Sequence, residues 1–194
     1  MVRVRPAQPA DAEAVVRINV RTWQQAYAGI VPDDVLAALD DQVGERVRRI
    51  RERWSAPDHP FATALAVPAG PAGQPPVGYV SYGPYRDGPD GDRLDPAVGE
   101  VLAIYVDPAH QRGGAGRVLL GAAVAALRER GAGEIRLWVL ARNAPARRFY
   151  QRYGFVADGV DQTFRVHRPD GTPVDLPEVR LVLRPGSAGP APLA

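Results

Sequence analysis

Apolar positions recur every three or four residues in the first third of the chain, then alternate or run together further on. "VRVR" (Val2–Arg5) predicts a short strand. Pro9, Asp11 and Glu13 suit a helical first turn, and Val15, Val16, Ile18 and Trp23 give the helix that follows an apolar side. A second helical region is predicted from about Asp33 to Trp54, broken near Gly44. "FATALAV" and "VGYVSYG" read as strands around the loop "PAGPAGQPP". "GPYRDGPDGDRLDPAVG" reads as a polar loop before the apolar strand "EVLAIYV". Val118, Leu119, Ala122, Ala123, Ala126 and Leu127 then mark a helix that Gly131 stops. The strand "EIRLWVL", the short helix "APARRFYQRY" closed by Gly154, and the strand "EVRLVL" complete the pattern. Two early helices followed by alternating strands and helices predict one α/β domain over residues 1–184. The tail 185–194 is expected to be disordered.

Composition narrows the chemistry. The 194 residues suffice for one sizeable core, and 45% hydrophobic with 24% charged residues describe a soluble globular chain. There is no cysteine, which excludes disulfides, thiolate metal sites and thiol nucleophiles. All 24 basic residues are arginine, so Schiff-base chemistry and a Walker-type loop, which need lysine, are excluded too. His59, His110 and His167 show no metal-ligand spacing, and no metal is expected. A net charge of +2 does not argue for nucleic acid. No segment approaches the ~20 apolar residues of a membrane span, and the start lacks a signal core, so the default expectation is a cytoplasmic protein without a membrane partner.

"VDPAHQRGGAGRVLL" (Val106–Leu120) places Gly113, Gly114 and Gly116 where a strand gives way to a helix. Glycine weakens a helix by roughly 1 kcal/mol relative to alanine, so three in one turn need a reason. Helix N-terminal amides lack intrahelical partners and attract anions, and glycine lets a phosphate reach them. The turn has the form Gln-x-x-Gly-x-Gly, from Gln111, Gly114 and Gly116, which is neither the Rossmann fingerprint nor a P-loop. An ordinary strand-to-helix turn in a glycine-rich chain is the other reading.

One strand later comes "NAPARRFYQRYGF", beginning 32 residues after Gln111. Asn143, Ala146, Phe149, Tyr150, Gly154 and Phe155 match Asn-x-x-Ala-x-x-Phe-Tyr-x-x-x-Gly-Phe. With this pair of motifs the chain resembles the GNAT superfamily of N-acetyltransferases, in motif detail from Glu100 to Phe155 and in element order from Val2 to Leu183. "TWQQAYAGIVP" (Thr22–Pro32) is similar to a bacterial branch of that superfamily. The resemblance implies a mixed, mostly antiparallel sheet with splayed central parallel strands flanked by helices.

It also implies acetyl-coenzyme A as donor. The amides of Arg112, Gly113, Gly114, Ala115, Gly116 and Arg117, with Gln111, would take the pyrophosphate. The strand at Ile104, Tyr105 and Val106 would pair with the pantetheine arm as if with an added strand, and Asn143 and Phe149 would flank it. Arg147 or Arg148 could reach a ribose phosphate, although surface arginines are often only solvated. Tyr150 takes the family's tyrosine position, as the acid that protonates the leaving thiolate, or else packs as a core tyrosine beside Phe149. Glu100 stands where many relatives carry a catalytic glutamate and is the candidate base, with ordered water as the alternative.

On the acceptor side, Trp23 and Tyr27 share a helix face, and Tyr82 and Tyr85 end a strand; these aromatics with Glu100 would line a pocket for a small-molecule or peptide amine. Trp23 and Tyr27 also read as core residues. Two other functions stay open: a domain that binds acyl-coenzyme A without turnover, and a nucleic-acid contact through "ERVRRIRERW". Glu45–Arg49 and Arg48–Glu52 pairing would make that run a solvated face. The acceptor and the choice between monomer and homodimer are not legible.

Overall fold

The computed structural model describes residues 1–71, 73–87 and 92–186. Seven strands form one sheet in the order β1-β2-β3-β4-β5-β7-β6. They are β1 Val2–Pro6, β2 Ala62–Pro68, β3 Gly78–Asp87, β4 Arg93–Val106, β5 Glu134–Leu140, β6 Val156–His167 and β7 Pro173–Leu183. The helices are α1 Ala12–Ala26, α2 Asp33–Ala37, α3 Val43–Ser55, α4 Ala115–Glu129 and α5 Ala144–Tyr153. Every neighbouring pair is antiparallel except β4–β5. That pair is the predicted parallel centre of a mixed sheet.

The two faces carry separate cores. On one, α4 buries Ala115, Leu119, Leu120, Ala123 and Leu127 beside Val80, Val101, Ile135 and Leu181. On the other, α1 and α3 pack Val15 and Ile18 against Leu65 and Tyr79, and Val16, Val20 and Val47 against Val35 and Leu36. The apolar stripes read along both helices are thus the stripes that are buried. The predicted break between the early helices falls at residues 38–42 rather than at Gly44, which lies in the first turn of α3.

Two stretches differ from the pattern reading. The "loop" Gly83–Gly99 is largely strand: β3 runs on to Asp87 and β4 begins at Arg93. This arm projects past the core, so its residues are mostly exposed and lack alternation. β6 is absent from the reading altogether. It is an edge strand, exposed along almost its whole length, so no apolar face marks it. The expected disordered tail lies from residue 187 onward outside the described residues.

α1 is fixed at its start by one carboxylate. Asp11 closes a turn begun at Pro9, accepting from the Gln8 amide at 2.8 Å. Both its oxygens accept from the Arg5 guanidinium of β1, each at 2.7 Å. The Arg5 bond, more than any other contact, holds the Asp11 carboxyl below the usual carboxylate range. A lowered acid stabilises the fold at neutral pH, and the contribution fades as pH falls through the lowered value. Asp11→Asn is therefore expected to cost about 1–2 kcal/mol in denaturant titrations at pH 7. The gap to wild type should close in strong acid, below ordinary aspartate titration near ~3.9.

Candidate active site

The strands β4 and β5 run side by side for only three residue pairs, Val98–Glu100 against Glu134–Arg136. Beyond them β5 stays bonded to β7 while β4 stays bonded to β3, and the two diverge. A bulge accompanies the parting: Ser81 faces Ala103 and Tyr82 faces Val101, leaving Leu102 out of register on β4. The wedge opens into a cavity of about 980 Å³, lined along one wall by Val101–Val106 and along the other by Trp138–Leu140.

At one mouth lies the glycine turn. Gly114 caps α4 with φ of +83°, the left-handed conformation that glycine adopts without penalty. Gly113 and Gly116 have no such internal reason. A Cβ at Gly116 would sit 3.6 Å from Phe149 and 3.7 Å from Val106, ordinary contact distances, and one at Gly113 would meet only the His110 carbonyl at 3.7 Å. The protein alone would accept alanine at either place. What a side chain at Gly116 would use up is room over the first amides of α4, which have no acceptor within the helix.

Gln111, Arg112, Gly114, Ala115, Gly116 and Arg117 line this mouth, whereas Gly113 does not. Gln111 donates to the Val106 carbonyl at 3.2 Å, tying the turn to the end of β4. The basic groups beside it are Arg112, Arg117 and Arg152. Arg147 and Arg148 are not among them: Arg147 turns back to donate to the Ala141 carbonyl at 3.1 Å. Arg152 lies one turn further along α5, and nothing in the sequence motif singles it out.

Midway, Asn143, Phe149 and Tyr150 of α5 reach the cavity. The Asn143 side-chain oxygen accepts from the Ala146 amide at 3.2 Å, so it caps α5, and its NH₂ is the end left to face a ligand. Tyr150 is 8% exposed, and burial pushes its hydroxyl up, so it stays protonated at neutral pH. Its ring packs between Phe149 and Phe155, 5.3 and 5.9 Å away between centroids. Both readings of Tyr150 are thus compatible, a packed ring with a hydroxyl at the cavity wall.

The far end holds Trp23, Tyr27, Arg86, Glu100, Gln162, Phe164 and Glu178. Trp23 and Tyr27 meet edge to face at 4.8 Å, and Phe164 stands 6.1 Å from Trp23. The indole N–H donates to the Tyr105 hydroxyl at 3.0 Å, and Tyr27 pairs with that hydroxyl at 3.3 Å. Tyr105, read as a backbone contact, therefore also anchors the aromatic wall. Tyr82 and Tyr85 are not in this wall. Tyr82 carries the Arg130 guanidinium at 5.6 Å over its ring, and the buried Tyr85 is covered by Arg136 at 4.7 Å and bonded by Arg180 at 3.1 Å. Register slips in β3 at Ser81/Tyr82 and Pro84/Tyr85 upset the simple alternation that a strand reading assumes.

Glu100 lines the cavity but is 1% exposed and fully engaged. Arg86 holds both carboxylate oxygens, through its amide at 3.0 Å, Nε at 3.1 Å and Nη2 at 2.7 Å. Glu178 of β7, which sequence reasoning passed over, is half-buried, and among the described residues only one of its oxygens accepts a hydrogen bond, from Gln162 at 2.7 Å. Burial raises its carboxyl above the ordinary glutamate range. Within the arginine run on α3, Arg48 pairs with Glu45 and Glu52 and Arg49 with Glu45, as a solvated face requires, while Arg46 turns inward to donate to the Asn19 side chain.

Residues 22–155 match the model of the Acetyltransferase (GNAT) family, and the chain belongs to that family. It is 30% identical over 153 residues to the uncharacterized N-acetyltransferase YuaI of Bacillus subtilis, covering 79% of each chain. It is 32% identical over 167 residues to the mycothiol acetyltransferase of Thermobispora bispora, covering 84% of this chain but half of that protein. Among solved structures, the PaiA N-acetyltransferase of Thermoplasma acidophilum, crystallised with coenzyme A, superposes with a TM-score of 0.68 at 18% identity over 95% of this chain and 99% of that one. Fold and family agree: the protein is an acetyltransferase with the sheet that the resemblance implied.

The Glu100–Arg86 pair generates a stability prediction. Glu100→Gln should lower stability by about 2 kcal/mol in denaturant titration, less than the 3–5 typical of a wholly buried pair because the Arg86 side chain keeps 45% exposure. Unchanged stability would mean that the carboxylate is available for other work.

Proposed function

We propose that the protein transfers an acetyl group from acetyl-coenzyme A to a primary amine, by direct attack on the bound thioester. The observation that carries this is one continuous cavity. It joins a glycine turn at the first amides of α4 to the edge of β4 that β5 leaves after Glu100, and then to a protonated tyrosine.

The residues present fit such a donor. The amides of the turn and Arg112 and Arg152 suit a diphosphate, through hydrogen bonds and the helix dipole. Peptide groups of Val101–Val106 on the open side of β4 suit the amides of an extended arm, in the manner of strand addition. The six-residue edge spans roughly 20 Å at ~3.3 Å per residue, which brings the thioester end beneath Tyr150 and the bulge. Around Leu102, amides released from the ladder can polarise the thioester carbonyl.

Acceptor amines are mostly protonated at pH 7, with roughly one molecule in two thousand free at a pKa of ~10.4, so a proton acceptor helps the reaction. At the other end of the bond being broken, the Tyr150 hydroxyl protonates the departing sulfur. With no cysteine in the chain, no cysteinyl acyl-enzyme can form, and the amine takes the acetyl group from the donor itself.

Two variants test this reading. Gly116→Ala should keep or slightly raise the melting temperature, since helix propensity improves and the Cβ has room, yet weaken acetyl-coenzyme A binding by about tenfold or more in calorimetry. Tyr150→Phe should leave donor affinity within about twofold and slow thiol release on an amine panel by about a hundredfold. Full activity in both would remove the turn and the tyrosine from the mechanism.

A further inference from the structure

Three ionic side chains face the far end of the cavity: Arg86, Glu100 and Glu178. Arg86 and Glu100 neutralise each other through the bidentate pair, which leaves one negative charge, on Glu178. That carboxylate is steadied at Oε2 by Gln162 across the β6–β7 ladder, and Oε1 takes no bond from a described residue. The same cavity is lined by the rings of Trp23, Tyr27 and Phe164, and Tyr27 lies close enough to feel the Glu178 charge. The polar atoms of Trp23 and Tyr27 are committed to the Tyr105 hydroxyl, so they offer a ligand ring surface rather than hydrogen bonds.

Resting on the reading above, we propose that Glu178, not Glu100, receives the acceptor amine, and that the acceptor is a primary ammonium compound bearing an apolar or aromatic arm. A lone carboxylate with a vacant lone pair favours a cation, and ring faces favour both a cation and an apolar arm. An acceptor with a second negative charge would meet Glu178 without a free basic partner beside it.

The proton balance closes. The ammonium gives one proton to Glu178, and the nitrogen lone pair attacks the thioester carbon. The N–C bond forms and the C–S bond breaks. The second amine proton, passed through solvent, replaces the one that Tyr150 gives to the sulfur. Glu178 returns its proton to solvent when the product leaves. Groups facing Glu178 that set when this works are Arg86 on β3, Glu100 and Tyr105 on β4, and Tyr27 on α1; Glu100 raises its carboxyl and Arg86 lowers it, while burial dominates. The carboxylate is the acceptor form, so binding of the ammonium strengthens as pH rises through the Glu178 titration, above the ordinary glutamate value of ~4.3.

The test is calorimetry with 2-phenylethylamine and its uncharged analogue 2-phenylethanol, titrated into protein saturated with coenzyme A. Wild type should prefer the amine by about tenfold or more, and Glu178→Gln should abolish that preference while coenzyme A binding stays unchanged. If the variant does not fold, wild type measured from pH 8 down to about pH 4, below the ordinary glutamate value of ~4.3, should lose its preference for the amine at constant coenzyme A affinity. A preference that survives in Glu178→Gln, a wild type that does not distinguish amine from alcohol, or a preference independent of pH overturns the inference. Failure of coenzyme A itself to bind overturns instead the donor reading on which it rests.

Discussion

A peptide group in a sheet has to find a hydrogen-bond partner, and half of β4 is denied one on one side. Once β5 has turned away after Glu100 and Arg136, the groups of β4 on that edge face an opening rather than another strand, except the Val106 carbonyl, which Gln111 and Thr22 take. The rest of the molecule is arranged around this unmet demand. β7 and β6 continue the sheet beyond β5, α4 and α5 close one side of the gap, and α1 brings Trp23 and Tyr27 to the other. The divergence leaves enough edge for an extended ligand to serve as a temporary neighbour, and a short reach beyond it for a second reactant.

Each end of the gap solves a different electrostatic problem. The turn end brings the first amides of α4 together with arginines, a setting suited to an anion that must be held but not changed. The acceptor end buries a carboxylate–guanidinium pair, which contributes rigidity, and leaves one further carboxylate with an open lone pair. Pairing Glu100 with Arg86 is what makes Glu178 distinct: the same residue type, a strand or two away, is fixed in one case and available in the other. A central hydroxyl kept protonated by burial, that of Tyr150, stands between them.

Much of this is legible in the sequence. Helices such as α4 bury one clean apolar stripe, and strands such as β5 bury Ile135, Leu137 and Val139 in alternation, so their periods survive in the sequence. The turn and Tyr150 were legible because their spacing is local, Gln111 to Gly116 and Asn143 to Phe155. What escaped depends on contacts between distant segments. Glu178 meets Gln162 only through β6, a strand exposed along both faces and so without a burial signature. Arg86 lies on an arm that resembles a loop, so its bidentate hold on Glu100 left no signal in the sequence. Tyr82 and Tyr85 were misplaced because bulges, which leave little trace in composition, reset the facing of β3.

The account stands on the open edge of β4, and amide hydrogen exchange measures it directly. With saturating acetyl-coenzyme A, peptides spanning residues 101–106 should exchange several-fold more slowly, together with those of the 112–116 turn, while β1 and β2 stay unaltered. Protection confined to the turn, with β4 exchanging as it does in the free protein, would contradict the idea that this strand edge is where the donor is held.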